Sequence, residues 1–175
     1  MMTLSMIEAR LPAYARDIKL NLSSIQRTVG LTPQQLWGTV LASALASRNP
    51  DVIAAASNDA ATHLEPAALE AVRAAAAIMA MNNVYYRFTH LVANEEYARL
   101  PARLRMNVIG KPGVDRLDFE LWCLAVSAIN GCGACVSSHE VEVTRRGAST
   151  TMVQDVVRIA SVIHAAAAVL DGDAV

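Results

Sequence analysis

The residues best suited to chemistry are two cysteines and a histidine in the stretch NGCGACVSSHE, Asn130 to Glu140. Cys132 and Cys135 are separated by two residues, and His139 follows the second cysteine by four. Residues three and four apart share one face of a helix, so the three side chains would lie along a single stripe. The spacing suits a metal site, a redox dithiol, or two buried thiols beside a surface histidine.

The dipeptide Asn130-Gly131 predicts a break between two helices just before the cysteine pair. Cys132 and Cys135 would then lie in the first turn of the new helix, where free N–H groups and the helix dipole stabilise negative charge. A cysteine pKa of about 8.5 falls to roughly 3.5–7.5 at helix N-termini, beside histidine and in C-x-x-C pairs. We therefore expect a reactive thiolate, with His139 placed to accept the thiol proton of Cys135.

Three interpretations of the pair remain open at this point, with the redox dithiol favoured. A structural zinc site requires four ligands, and only three candidates lie close together in the chain. The third cysteine, Cys123, is nine positions upstream on another helical stripe and lies among apolar residues, so we expect it to be a small buried hydrophobe. No βαβ pattern surrounds the pair, which separates it from thioredoxin-like proteins.

Length and composition indicate one helical domain over residues 1–175, with 54% hydrophobic residues to form a core. Fifteen basic against 16 acidic residues leave a net charge of −1, so no global field would attract nucleic acid or acidic lipid. The N-terminal segment lacks the pattern of a signal peptide, and three cysteines are too few for a secreted disulfide scaffold. We expect a cytoplasmic protein that binds neither nucleic acid nor membrane.

Proline placement predicts where helices begin, because proline is tolerated in the first helical turn. Five prolines are interpreted in this way: Pro12, Pro33, Pro50, Pro66 and Pro101. Thr32, followed by Pro33 and by Gln35 three positions later, predicts a capping box. No segment alternates with period two. The predicted fold class is all-α, a compact bundle of about eight to ten helices with the C-x-x-C pair at a helix N-terminus.

The second half of the chain is predicted to contain a long loop and three helices. Asn82-Asn83 is interpreted as a break that ends the helix beginning at Pro66, and residues 106–114 as a loop. Helices are predicted over residues 115–129, 132–146 and 149–169. A weak internal echo between Ala77 to Phe88 and Ala128 to His139 raises a possible division into a degenerate half, 1–105, and a catalytic half, 106–175.

In its wider context the motif resembles the AhpD type alkyl hydroperoxide reductases of the carboxymuconolactone decarboxylase-like superfamily. The pattern is Glu120, eleven residues, Cys132, two residues, Cys135, three residues and His139. Similar stretches extend over nearly the whole chain: YARDIKLNLSS at 14–24, QLWGT at 35–39, AIMAMNNVYYR at 77–87 and LRMN at 104–107. One position departs from the family pattern: mycobacterial-type members often carry a histidine just before the second cysteine, where this chain has Ala134.

The resemblance implies an all-helical subunit that assembles as a homotrimer and acts as a cytoplasmic antioxidant. Such a protein reduces hydroperoxides and regenerates a partner peroxiredoxin of the AhpC type. It binds no cofactor itself. Its electrons come from the dihydrolipoyl group of a lipoylated acyltransferase, which dihydrolipoamide dehydrogenase recharges from NADH.

The resemblance also implies the roles of four residues. Cys135 would be the nucleophile that passes through a sulfenic acid, and Cys132 the proton donor and resolving thiol that closes the redox disulfide. Glu120 and His139 would form the proton relay, and Ala134 predicts a slower protein or one with a shifted pH optimum. The alternatives are a lactone decarboxylase-like enzyme on the same fold, and a zinc-binding or structural helical module.

Overall fold

The computed structural model describes residues 1–173, which form a helical bundle. Ten α-helices and a 3₁₀ turn lie in that range, where there is no strand, so the predicted all-α class is confirmed. The elements are α1 Leu4–Arg10, the turn Ala13–Ala15, α2 Arg16–Ile25, α3 Pro33–Ser47, α4 Pro50–Ala60, α5 Pro66–Leu91, α6 Glu96–Arg99, α7 Asn107–Gly110, α8 Arg116–Ile129, α9 Gly133–Arg145 and α10 Thr150–Asp173.

A single hydrophobic core draws side chains from nearly the whole chain, from Leu4 in α1 to Leu170 in α10. Helices α3 and α8 pack together in its centre, and α10 packs against both. Phe119 and Trp122 of α8 are fully buried there. The possible division into halves 1–105 and 106–175 stays a prediction.

Helix α10 is long and apolar enough to cross a membrane by length and composition alone. Its buried positions, including Val156, Ile159 and Ile163, belong to the hydrophobic core that α3 and α8 share with it. A helix that fills a protein core needs the same apolar residues. The composition of α10 is therefore that of a core helix and gives no separate sign of a membrane span.

Most of the predicted helix starts are confirmed. At α3 the capping box is complete: Gln35 N donates to Thr32 Oγ1 at 3.2 Å, and Thr32 N donates to Gln35 Oε1 at 3.0 Å. Pro33, Pro50 and Pro66 each open a helix, whereas Pro12 precedes only the 3₁₀ turn. The prediction for Pro101 was wrong, because residues 101–106 are not helical.

The predicted break at Asn82-Asn83 was wrong, because α5 runs through both residues to Leu91. Asparagine disfavours helix interiors mainly because its side chain competes for nearby backbone groups. Asn83 is buried and is bonded elsewhere: its Nδ2 donates to Ser127 Oγ at 3.0 Å, and its Oδ1 accepts from Asn130 Nδ2 at 3.0 Å. Partners beyond α5 thus remove that competition. The predicted loop at 106–114 likewise contains one short helix, α7.

The crossing of α3 and α8 depends on Gly38, which lies against the indole ring of Trp122. A Cβ added at Gly38 would overlap that ring, and Trp122 is fully buried. We expect Gly38→Ala to lower the free energy of unfolding by about 1–3 kcal/mol, the usual cost of overpacking a core. Chemical denaturation measures the free energy of unfolding of each variant. Gly110→Ala is the matched control, because a Cβ there meets nothing within 4 Å; equal stability of the two variants would contradict this packing.

Candidate active site

The turn between α8 and α9 presents the cysteine pair as the sequence predicted. Asn130 caps the C-terminus of α8, and Gly131 has a φ of +67°, in the left-handed region that glycine occupies readily. Cys132 is the N-cap of α9, and its Sγ accepts a hydrogen bond from Cys135 N at 3.3 Å. Both sulfurs therefore lie at the N-terminal end of a 13-residue helix, where negative charge on sulfur is stabilised.

Cys132 and Cys135 are bonded to each other as a disulfide. Their Cα atoms are 5.3 Å apart, within the usual range for a bridge. Cys132 is completely buried, whereas Cys135 is 6% exposed and lines a pocket of about 530 Å³. Cys135 is therefore the sulfur that an entering molecule would meet first.

Beside the disulfide, Glu120 of α8 and His139 of α9 are in direct contact. His139 Nδ1 lies 2.6 Å from Glu120 Oε2, and Arg116 Nε donates to Glu120 Oε1 at 2.7 Å. Burial raises the pKa of Glu120, but the hydrogen bonds from His139 and Arg116 outweigh it, so the pKa is lowered overall. Glu120 is thus an ionised acceptor that holds the imidazole by a hydrogen bond from Nδ1–H.

The second ring nitrogen of His139 faces a sulfur acceptor. His139 Nε2 lies 3.2 Å from Met79 Sδ. A thioether and a carboxylate can only accept, so both bonds form together only when both ring nitrogens carry protons. Glu120 and Met79 together hold the imidazole ring in place beside the disulfide. In the described part of the chain, no hydrogen bond joins His139 to either cysteine.

The pocket at Cys135 combines an apolar lining with the hydrogen-bonded pair of Glu120 and His139. Its apolar side chains are Met79, Tyr86, Met106, Ile109 and Val141, and its polar ones include Arg116, Glu120, His139 and Glu142. A mostly apolar cleft with a few convergent polar groups is typical of a site for a small organic molecule. The pocket can therefore hold the apolar part of a small molecule while the polar end of that molecule contacts Cys135, Glu120 and His139.

Cys123 takes no part in this site. It is a free thiol, fully buried in α8, as the sequence predicted. Burial raises its pKa well above the ordinary value, and the nearby charge of Glu120 acts in the same direction. Because the thiolate is the reactive form, Cys123 is protected from the chemistry of the pair.

The zinc interpretation lacks ligands in this geometry. Within residues 1–173, no group of three or more His, Cys, Asp and Glu side chains could hold a metal ion. The two cysteines are bonded to each other, and His139 is occupied by Glu120 and Met79.

Two residues of the site were not found from the sequence. Arg116 precedes Glu120 by four positions, a spacing that places opposite charges side by side on a helix and that was available as a signal. Met79 is 60 positions from His139, and only the packing of α5 against α9 brings them together. Nothing local in the sequence indicated that contact.

Ala134, the position at which the sequence departs from the resemblance, lines the pocket next to Cys135. We expect Ala134→His to lower the thiol pKa of Cys135, because an imidazolium stabilises a thiolate beside it. Alkylation of the reduced protein near pH 6 should then become several-fold faster. The measurement is the alkylation rate against pH. Ser137→His, an exposed neighbour outside the pocket, is the control; identical profiles for both variants would reject the effect.

Comparisons with known proteins give one consistent result. Residues 95–175 match the model of the carboxymuconolactone decarboxylase family. The chain is 56% identical over 173 residues to "Alkyl hydroperoxide reductase AhpD" of Rhodospirillum centenum, covering 99% of this chain and 93% of the relative. Proteins of the same name from Gluconacetobacter diazotrophicus and Acidobacterium capsulatum are each 58% identical, over 99% of this chain and 95% and 96% of theirs.

Proposed function

Because this chain belongs to the AhpD family of alkyl hydroperoxide reductases, we propose that it reduces hydroperoxides with its cysteine pair. One observation supports this most strongly. The Cys132–Cys135 disulfide lies at a helix N-terminus, with Cys135 facing a pocket that also holds the hydrogen-bonded Glu120 and His139. A bond between these two cysteines is the product that peroxide reduction by a dithiol would leave.

In the proposed oxidative half-reaction, the Cys135 thiolate attacks the terminal oxygen of the hydroperoxide. The O–O bond breaks, an S–O bond forms, and the alkoxide leaves as an alcohol with a proton from the relay. Cys132 then attacks the sulfur of the resulting sulfenic acid, and the hydroxyl leaves as water. In total, one hydroperoxide and two thiols become one alcohol, one water and one disulfide.

In the proposed reductive half-reaction, a donor thiolate enters the pocket and attacks Cys135, the cysteine of the bridge that lines the pocket. Cys132 leaves as a thiolate, and the N-terminal N–H groups of α9, including Cys135 N, stabilise that leaving group. A second donor thiol releases Cys135 and closes the donor disulfide. In this proposal His139, oriented by Glu120, supplies a proton to this exchange.

We propose the dihydrolipoyl group of a lipoylated acyltransferase as the donor, recharged by dihydrolipoamide dehydrogenase and NADH. The apolar lining of the pocket suits the aliphatic chain of a lipoyl group. By the same thiol exchange, the reduced pair would regenerate a peroxiredoxin of the AhpC type, and no bound cofactor is needed. We also propose a cytoplasmic location, because this catalytic cycle needs a reducing compartment.

We also propose assembly as a homotrimer, through the exposed apolar surface at the C-terminal part of α5 and α6. Val84, Phe88 and Leu91 repeat at helical spacing and are 62%, 48% and 71% exposed. Tyr97 packs edge-on against Phe88, with ring centroids 5.2 Å apart. Exposed apolar clusters of this kind are typical of interfaces. Light scattering tests it: Phe88→Glu should yield monomers, and a wild type that is already monomeric would reject the proposal.

Reconstitution tests the function and the donor separately. The assay contains the protein, lipoylated acyltransferase, dihydrolipoamide dehydrogenase, NADH and an alkyl hydroperoxide, with and without an AhpC-type peroxiredoxin. We expect NADH oxidation that requires every component and rises with the peroxiredoxin. Turnover with dithiothreitol but none with the lipoyl system would keep the reductase and reject this donor.

A lactone decarboxylase-like activity is the second candidate, since the matched family model carries that name. Such a reaction has no need of a redox-active cysteine pair. Lactone turnover that persists in a variant with both Cys132 and Cys135 changed to serine, beside a lack of peroxide turnover in the wild type, would favour it.

A further inference from the structure

A second pocket, of about 380 Å³, lies among α3, α5, α8 and α10 and shares no lining residue with the pocket at Cys135. Its charged or titratable side chains are Arg48, Arg87 and His164, and no carboxylate lines it. The volume lies within the range of about 300–1,000 Å³ that is usual for small-molecule sites. The chain as a whole carries a net charge of −1, so this concentration of basic groups is local.

Two of the three basic side chains are held in place by neutral partners. Arg87 Nη1 donates to Asn130 O at 2.7 Å, which leaves most of its five N–H groups for other acceptors. His164 Nδ1 lies 3.2 Å from Ser47 Oγ, and that hydroxyl already donates to Ser43 O at 2.8 Å. Nδ1 must therefore be the donor, and Nε2 is left without a partner among the described residues.

The third basic residue, Arg48, occupies an unusual backbone conformation at the end of α3. Its φ is +66°, in the left-handed region that glycine or asparagine normally occupies at a helix C-terminus. The negative end of the α3 dipole favours a cationic side chain at position 48. The left-handed backbone at the same position favours glycine. Neither Arg48 nor Arg87 has a carboxylate within ion-pair distance in residues 1–173.

We propose that this pocket binds a small molecule through a phosphoryl group. Guanidinium groups present paired N–H donors that match phosphate oxygens. Two permanent cations suit a phosphoryl dianion better than a single carboxylate. The volume leaves room for an organic part beside the phosphoryl group. This site stands apart from the proposed peroxide chemistry and does not depend on it.

A chain of hydrogen bonds joins the second pocket to the redox site. Asn130, whose carbonyl binds Arg87, is two residues before Cys132 and donates to Asn83, which also lines the pocket. Asn83 donates to Ser127 Oγ, which donates to Met79 Sδ at 3.6 Å, the sulfur that faces His139. A ligand that engages Arg87 therefore acts on the backbone at the start of the disulfide loop. We therefore expect such a ligand to bind the disulfide and dithiol forms with different affinities and, by linkage, to favour one redox form over the other.

Calorimetry on the full-length, assembled protein tests the site with inorganic phosphate and ribose 5-phosphate, and with ribose and acetate as controls. We expect the phosphoryl compounds to bind and both controls to fail. Stronger binding of ribose 5-phosphate would assign the site to organic phosphates, and equal binding would assign it to the phosphoryl group alone. If neither inorganic phosphate nor ribose 5-phosphate binds at about 10 mM, the Kd is too weak to matter in a cell and the proposal is overturned.

Variants distinguish the pocket from general attraction of anions. Arg48→Gly removes one cation and suits the left-handed backbone, so the variant should fold at least as well as the wild type. We expect it and Arg87→Gln each to weaken binding by at least about tenfold, the usual effect of losing a charged hydrogen bond. Arg73→Gln, exposed on α5 outside the pocket, is the control.

Unchanged affinity in Arg48→Gly and Arg87→Gln, or equal weakening in the Arg73→Gln control, would reject the site. The same titrations on the oxidised and reduced protein test the link to the redox loop. Equal affinities in the two redox states would reject that link.

Discussion

Replacing Cys135 with serine is expected to lower peroxide-dependent turnover by at least about 1,000-fold, because a serine hydroxyl cannot replace the thiolate as nucleophile. Cys135 is the member of the pair that lines the pocket, so no other thiol is placed to meet the substrate. The measurement is peroxide consumption with dithiothreitol or dihydrolipoamide as donor. Folding of the variant is verified by its unfolding transition.

The partner variant, Cys132→Ser, separates the roles of the two thiols. Cys135 would still attack the peroxide, but with a monothiol donor such as 2-mercaptoethanol neither the protein nor the donor has a second thiol to release it. We expect a mixed disulfide between Cys135 and the donor, detectable by mass. Cys123→Ala is the matched control, because that cysteine is buried outside the pair. Full and equal activity in both serine variants would contradict a dithiol mechanism.

Glu120→Gln is expected to have the second-largest effect, a loss of about 100-fold in turnover. The amide keeps the size of the side chain but removes the charge that orients His139 and stabilises its protonated form. Arg116 would also lose its ionic partner. The rate should fall without a matching loss of substrate binding. The control is Glu70→Gln, an exposed position on α5.

The same variant should change how stability depends on pH. The pKa of Glu120 is lowered in the folded protein from the ordinary value of 4.5. A lowered folded pKa gives stability that is present above the unfolded pKa and is lost as the pH falls through the folded value. Wild type should therefore lose more stability than Glu120→Gln below about pH 4.5. Parallel curves in acid denaturation would show that Glu120 is not held ionised by His139 and Arg116.

The parts of the fold that the sequence predicted well depend on neighbouring residues. The capping box of Thr32 and Gln35 involves residues within four positions, and the turn at Asn130-Gly131 needs only a glycine with positive φ. Local chemistry decides such features, so a sequence pattern can carry them. For the same reason, the cysteine pair was correctly placed at the start of α9.

The parts that the sequence missed depend on partners far along the chain. The sequence predicts a break at Asn82-Asn83, because nothing near these residues shows that Ser127 and Asn130 bind Asn83 inside the core. The contact between Met79 and His139 is likewise a product of packing. The resemblance to a known family predicts the role of Glu120, while the structure adds Arg116, which together with His139 lowers the pKa of that carboxyl.

Counting thiols before and after peroxide tests the central claim most directly. The fully reduced protein contains three cysteines. After one equivalent of an alkyl hydroperoxide, titration under denaturing conditions should find one thiol, Cys123, with the other two joined and one peroxide consumed per chain. Three thiols remaining after treatment, or peroxide consumed without any loss of thiols, would contradict the claim that Cys132 and Cys135 form the redox centre.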